Sequence, residues 1–115
     1  MTLSEVDLLA ARRQLKIKSG VVKRLSKEHA LYKTEAGQQQ QKLDKFVADG
    51  AEGWDINNAT RMMEEANKMI VDAANRLGKA TGELKDLITA SKKEPQLAED
   101  QELLDAEKIL EEAST

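Results

Sequence analysis

The chain has 115 residues and a net charge of −3, enough length for one domain with a modest core. Charged residues make up 34 % of it and aromatics 3 %, with one proline, a mix that suits an all-α fold of long helices and not a β-sandwich. Cysteine is absent, which excludes disulfides, thiolate metal sites and a cysteine nucleophile, and the longest apolar run, Leu8 to Ala11, is far too short to cross a bilayer.

The first predicted element is a helix from about Ser4 to Ala48. Written in heptads, one position holds Leu8, Leu15, Val22, His29, Ala36 and Leu43, and its partner holds Ala11, Lys18, Leu25, Tyr32, Gln39 and Phe46. Most are apolar, as a coiled-coil-like seam requires, and Lys18 and Gln39 are the exceptions. Lys18 is expected to snorkel out of the seam. Gly37 and the glutamines after it weaken the apolar signal. Asp49-Gly50-Ala51-Glu52-Gly53 is the first break, with Gly50 suited to the left-handed conformation that ends a helix.

Asp55 is read as the N-cap of a second helix over Ile56 to Ala90, with Trp54 clamping the hairpin just before it. The seam here alternates intervals of three and four without a fault: Ile56, Ala59, Met63, Ala66, Ile70, Ala73, Leu77, Ala80, Leu84, Leu87. Alanine in nearly every second layer lets a neighbouring helix approach closely. Gly78 and Gly82 read as a local weak spot inside this helix. Ser91 to Pro95 is the second break, and Pro95 is placed in the first turn of a third helix ending near Ala113, where its missing N–H is harmless. Leu103, Ala106, Leu110 and Ala113 give that helix a short seam. Short links make the three helices antiparallel neighbours, so the expected architecture is a single domain over residues 1–115, an elongated antiparallel three-helix bundle.

Charge is unevenly spread. Arg12 to Lys33 holds eight Lys or Arg against one acid, Glu28, whereas Glu94 to Thr115 holds eight acids against one base, Lys108. In the first segment Arg13, Lys16, Lys23, Arg24 and Lys27 fall opposite or beside the seam, with Ile17 and Leu31 on the same outer side. Most charged helix faces only solubilise. This one lacks the interspersed acids that intrahelical pairing would bring. Three partners fit: the acidic third helix of the same molecule, a nucleic acid, or an acidic protein surface. Nucleic acid is disfavoured, because stacking aromatics and a groove-reading motif are missing.

Enzymatic chemistry finds no support. The one histidine, His29, lies on a seam and has no second histidine or cysteine with which to hold a metal. Paired acids such as Glu64-Glu65 and Glu111-Glu112 belong to solvated helix faces. No phosphate-cradling glycine loop is present. No cofactor is expected, and neither a secretory signal nor a mitochondrial presequence is, since Glu5 and Asp7 stand early in the chain.

Leu15 to Phe46, with its KIKSGVVKRL core followed by Lys27-Glu28 and Tyr32, resembles the first helix of the tubulin-specific chaperone A (tubulin-binding cofactor A) family. Trp54-Asp55-Ile56 stands where that family starts its second helix. Glu65 to Leu77 is similar to its second-helix motif in Met69, Ile70, Asp72, Arg76 and Leu77, with Val71 in place of the family's proline, so a softer bend is expected there. The likeness spans most of residues 13–90.

The resemblance implies a three-helix bundle that binds β-tubulin. Such proteins accept β-tubulin folding intermediates released from the cytosolic chaperonin and hold them ahead of α/β heterodimer assembly, without nucleotide. Tubulin is strongly acidic, which suits the cationic face. On this reading Lys16, Lys18, Lys23, Arg24 and Lys27 make charge contacts, Ile17 and Val21 apolar ones, and Asp72 and Arg76 are secondary candidates. The implied protein is cytoplasmic and cytoskeleton-associated, and is expected as a monomer with a homodimer as the alternative. The rival function is a generic helical adaptor or spacer indifferent to tubulin.

Overall fold

A computed structural model describes residues 3–113. The described residues form three α-helices, α1 (Glu5–Ala48), α2 (Gly53–Lys92) and α3 (Gln101–Ala113), and no strand. The all-α, three-helix expectation holds.

Each helix end has a chemical cause. Ser4 caps α1: its Oγ accepts the Asp7 N–H at 3.2 Å and its carbonyl accepts the Leu8 N–H at 2.9 Å. Glu5 and Asp7 in the first turn complement the helix dipole. At the other end Gly50 takes φ 68°, and the Ala51 N–H donates to Phe46 O at 3.0 Å while the Gly50 N–H donates to Val47 O at 3.3 Å. These paired bonds form a Schellman motif, which needs a left-handed residue at the glycine's place. Gly50→Ala should therefore cost about 1 kcal/mol of stability, read by denaturant unfolding with an unchanged m-value, because a Cβ disfavours that conformation.

Two helix starts differ from the sequence reading. α2 begins at Gly53, and Asp55 lies within its first turn, where its amide donates to Glu52 O at 3.0 Å. The acid still favours the positive end of the dipole, but it does so from inside the helix, and no proline bars the earlier start. Trp54 is correspondingly 71 % exposed and does not clamp the hairpin. α3 begins at Gln101, six residues after Pro95. Pro95 instead opens an isolated helical turn, in which Leu97 and Ala98 donate to Glu94 O at 2.9 and 3.1 Å. The turn buries Leu97. Asp100 then restarts the helix: its Oδ1 accepts the Glu102 N–H at 3.0 Å, and Arg12 Nε donates to its Oδ2 at 2.6 Å. The N-cap of α3 is thus held by a side chain of α1. Gly78, Gly82 and Val71, the last of them 60 % exposed, sit in uninterrupted helix.

The chain divides into two compact units. The first comprises residues 1–26 and 76–115. Its core joins Leu15, Val22 and Leu25 of α1 to Ala80, Leu84 and Ile88 of α2 and Leu103 and Ala106 of α3. Val21, Leu77, Leu87, Ile109, Leu110 and Ala113 are half-buried around it. The α2 seam drifts from Leu84 toward Ile88 and Ser91, because a straight helix gains on a strict seven-residue repeat and α3 covers the adjoining side. Ser19 is buried among these residues and keeps its hydroxyl satisfied by donating to Leu15 O at 2.6 Å.

The second unit, residues 27–75, pairs the later part of α1 with the earlier part of α2. Its fully buried hydrophobics are alanines, Ala36, Ala59 and Ala73. Larger residues of the expected seams, including Tyr32, Leu43, Phe46, Met63 and Ile70, are half-buried around them, as is His29. Alanine in the inner layers brings helix backbones close and leaves the larger side chains to wrap the sides.

Candidate partner-binding face

The helical period sorts the cations of the first unit into two groups. Residues two apart on a helix point to nearly opposite sides, so Lys16 and Lys18 cannot share a face. Lys18 is on the inner flank, half-buried, with its Nζ 3.5 Å from the Glu83 carboxylate of α2. Arg12 grips Asp100, and Lys92 of α2 lies 3.0 Å from Glu107 of α3. These three ion pairs join the helices of the unit to one another. The acidic α3 thus meets basic residues of its own chain at Arg12 and Lys92.

Arg13, Lys16 and Lys23 project from the outer side of α1, and among the described residues they form no ion pair. Arg24 and Arg76 are exposed in the same unit. Ile17 is 51 % exposed among the outer cations, the one apolar candidate that faces solvent. Val21 is turned against the core and supports the helix from beneath. Lys27 and Asp72 are exposed in the second unit, and Lys27 likewise has no ion pair among the described residues. The nine candidates therefore separate. Lys16, Ile17, Lys23 and Arg24 form an exposed cluster on one helix, while Lys18 and Val21 serve the packing behind it.

Two further apolar residues went unnoticed in the sequence. Val6 and Leu9 are 76 % and 55 % exposed on α1. Their signal was present, since they continue the spacing of Arg13 and Ile17 in steps of three and four, but the neighbouring Leu8 drew the apolar pattern to the core stripe.

The exposed cations beside Ile17 suit binding to an acidic surface. Among the described residues no group of three or more His, Cys, Asp or Glu is placed to hold a metal ion. Trp54, Asn57, Asn58 and Arg61 line a shallow depression at the start of α2, and Lys68, Val71 and Asp72 help to line another on the same helix. No described helix is long and apolar enough to cross a membrane.

Known proteins share this sequence pattern and this fold. Residues 10–110 match the sequence family described as Tubulin binding cofactor A. The chain is 39 % identical over 99 residues to the tubulin-specific chaperone A of Gallus gallus, covering 86 % of this chain and 89 % of that one. Its fold is similar to that of human tubulin chaperone cofactor A, with a TM-score of 0.80 at 35 % identity over 91 % of this chain and 99 % of the other. The crystal structure of tubulin folding cofactor A from Arabidopsis thaliana superposes with a TM-score of 0.84 at 29 % identity, covering 92 % and 97 % of the two chains.

Proposed function

The chain belongs to the tubulin-binding cofactor A family, and from that premise we propose that it is a tubulin-folding cofactor that captures its client on the outer face of α1. The observation that carries the site is the cluster of Lys16 and Lys23, exposed and without ion pairs among the described residues, around the half-exposed Ile17. An acidic client gains charge contacts there with little desolvation of the binder, and Ile17 adds apolar contact. Arg24 extends the cationic set within the same unit, with Arg76 as a secondary contact, and Lys27 and Asp72 are the separate candidates of the second unit. Lys18 and Val21 hold α1 against the rest of its unit.

The client is β-tubulin, taken as a folding intermediate after its release from the cytosolic chaperonin and held before it pairs with α-tubulin. The action is passive and non-catalytic. A covered client surface cannot associate wrongly, and mass action favours the bound state without nucleotide. The protein works in the cytoplasm, alongside the cytoskeleton it supplies, as a monomer.

Capture by the full-length chain from cytosol tests this reading, scored for β-tubulin, α-tubulin and nucleic acid. Enrichment of β-tubulin that weakens as salt rises is the expected result, since exposed charges are screened over roughly 10 Å at 0.1 M salt. Capture without preference for tubulin would favour a generic helical adaptor. A steep salt-dependent affinity for RNA or DNA would mark a nucleic-acid accessory protein.

A further inference from the structure

The first unit's part of α1 carries a second stripe on the side away from its core. Val6, Leu9, Arg13, Ile17, Gly20 and Arg24 succeed one another at intervals of three and four, the spacing by which one helix presents a ridge to another. All six are exposed, although three of them are aliphatic. Lys16 and Lys23 border the stripe on one side. From Val6 to Arg24 it runs about 27 Å, or five helical turns.

Gly20 stands out within it. Glycine is unfavourable in a helix interior, and a Cβ built at Gly20 would meet nothing within 4 Å. Its φ lies in the ordinary helical range, since Gly50 alone among the described glycines has a positive φ. Nothing inside the chain requires a glycine at this place. Outside the chain, a missing side chain lets a second helix come near the lower end of the usual 8–10 Å between axes.

We propose that this stripe seats an amphipathic helix of the tubulin client, crossing α1 at Gly20, packing on Leu9 and Ile17, and laying its acidic residues along Lys16 and Lys23. The inference rests on the tubulin-binding reading and specifies what that face accepts. A second copy of the chain is the poorer occupant, because its matching face would set the same cations against each other.

The test pairs two glycines. Gly82 is also an exposed glycine in a helix interior with open space around its would-be Cβ, but it belongs to α2. Gly20→Ala and Gly82→Ala should each raise the thermal midpoint of the free protein by a few degrees. Against β-tubulin not yet paired with α-tubulin, freshly released from the chaperonin in a translation extract, Gly20→Ala should weaken binding at least threefold and Gly20→Leu at least tenfold, while Gly82→Ala stays within twofold. Leu9→Ala, at an exposed position, should weaken binding several-fold with little change in stability.

The sequence contains no cysteine, so single cysteines placed at exposed positions from 6 to 24 and labelled with an environment-sensitive dye each report one site. Blue shifts on tubulin addition should recur every three or four residues along the stripe. Shifts of equal size at the exposed off-stripe positions 7 and 14 would show a broad flat contact and overturn the inference. So would Gly20→Leu binding within twofold of the parent while the double charge reversal of Lys23 and Arg24 destroys capture, an outcome that leaves the tubulin-binding reading standing. A dimer of the free chain that Gly20→Leu dissolves, with tubulin affinity unchanged, would assign the stripe to self-association. If the unaltered chain captures no unpaired β-tubulin, both readings fall together.

Discussion

Replacing Leu84 with alanine should lower stability by about 3 kcal/mol, within the range measured for deleting the larger part of a buried leucine. Leu84 is fully buried where α1, α2 and α3 share one core, with Leu15, Val22 and Leu103 in the same cluster. Its removal forfeits transfer energy and also leaves a void that three helices cannot close together. For a domain of this size the thermal midpoint should fall by roughly 10 °C or more. Leu87→Ala provides the comparison. That residue is half-buried at the edge of the same core, so its loss should cost about half as much. Equal losses from the two variants would contradict the packing, and calorimetry on both measures the difference directly.

The second large effect concerns binding. Reversing Lys23 and Arg24 together to glutamate should weaken tubulin capture by roughly ten- to hundredfold at physiological salt, since each reversal removes an attraction and installs a repulsion. Part of the loss should appear as slower association, the mark of electrostatic steering, and should shrink as salt is added. Both positions are exposed, so helix content by circular dichroism should stay at the parent value. Lys18→Ala is the informative contrast. Its charge is engaged by Glu83 on the inner flank, and its removal should act on stability, at about 0.5 kcal/mol for a partly exposed pair, and leave capture nearly unchanged. Capture that survived the double reversal would remove α1's outer face from consideration.

Periodicity carried much of this architecture because it reports burial, and burial is what the helices share. The sequence places α1 from about Ser4 to Ala48, and the helix spans Glu5–Ala48, bounded by a serine cap and a left-handed glycine whose chemistry is local. The misplaced starts have a common origin. Asp55 and Asp100 are both acids able to cap a helix, and only the second does so, because Arg12 from a distant part of the chain fixes its carboxylate. Leu97 escaped notice for a similar reason, since an isolated turn has too few residues to show a period. The cationic face was visible in composition. The helical period already sets Lys18 and Val21 apart from Lys16 and Lys23, whereas the pairing of Lys18 with Glu83 depends on where α2 lies.

The two units differ in what lies inside them, and this difference should set a rhythm of opening. Around Leu15, Val22, Leu84 and Leu103, three helices exclude water with branched aliphatic side chains. Around Ala36, Ala59 and Ala73, two helices bury only alanines fully and leave the larger side chains half-exposed. Amide hydrogens of the second unit should therefore exchange with solvent through partial openings that cost less than global unfolding, while those near Leu84 should exchange only when the whole chain opens. Mass spectrometry of deuterium uptake would resolve the two tiers. A tubulin-folding cofactor would then have its first unit, drawn from both sides of the middle of the sequence, held firmly shut and a middle stretch, residues 27–75, that breathes.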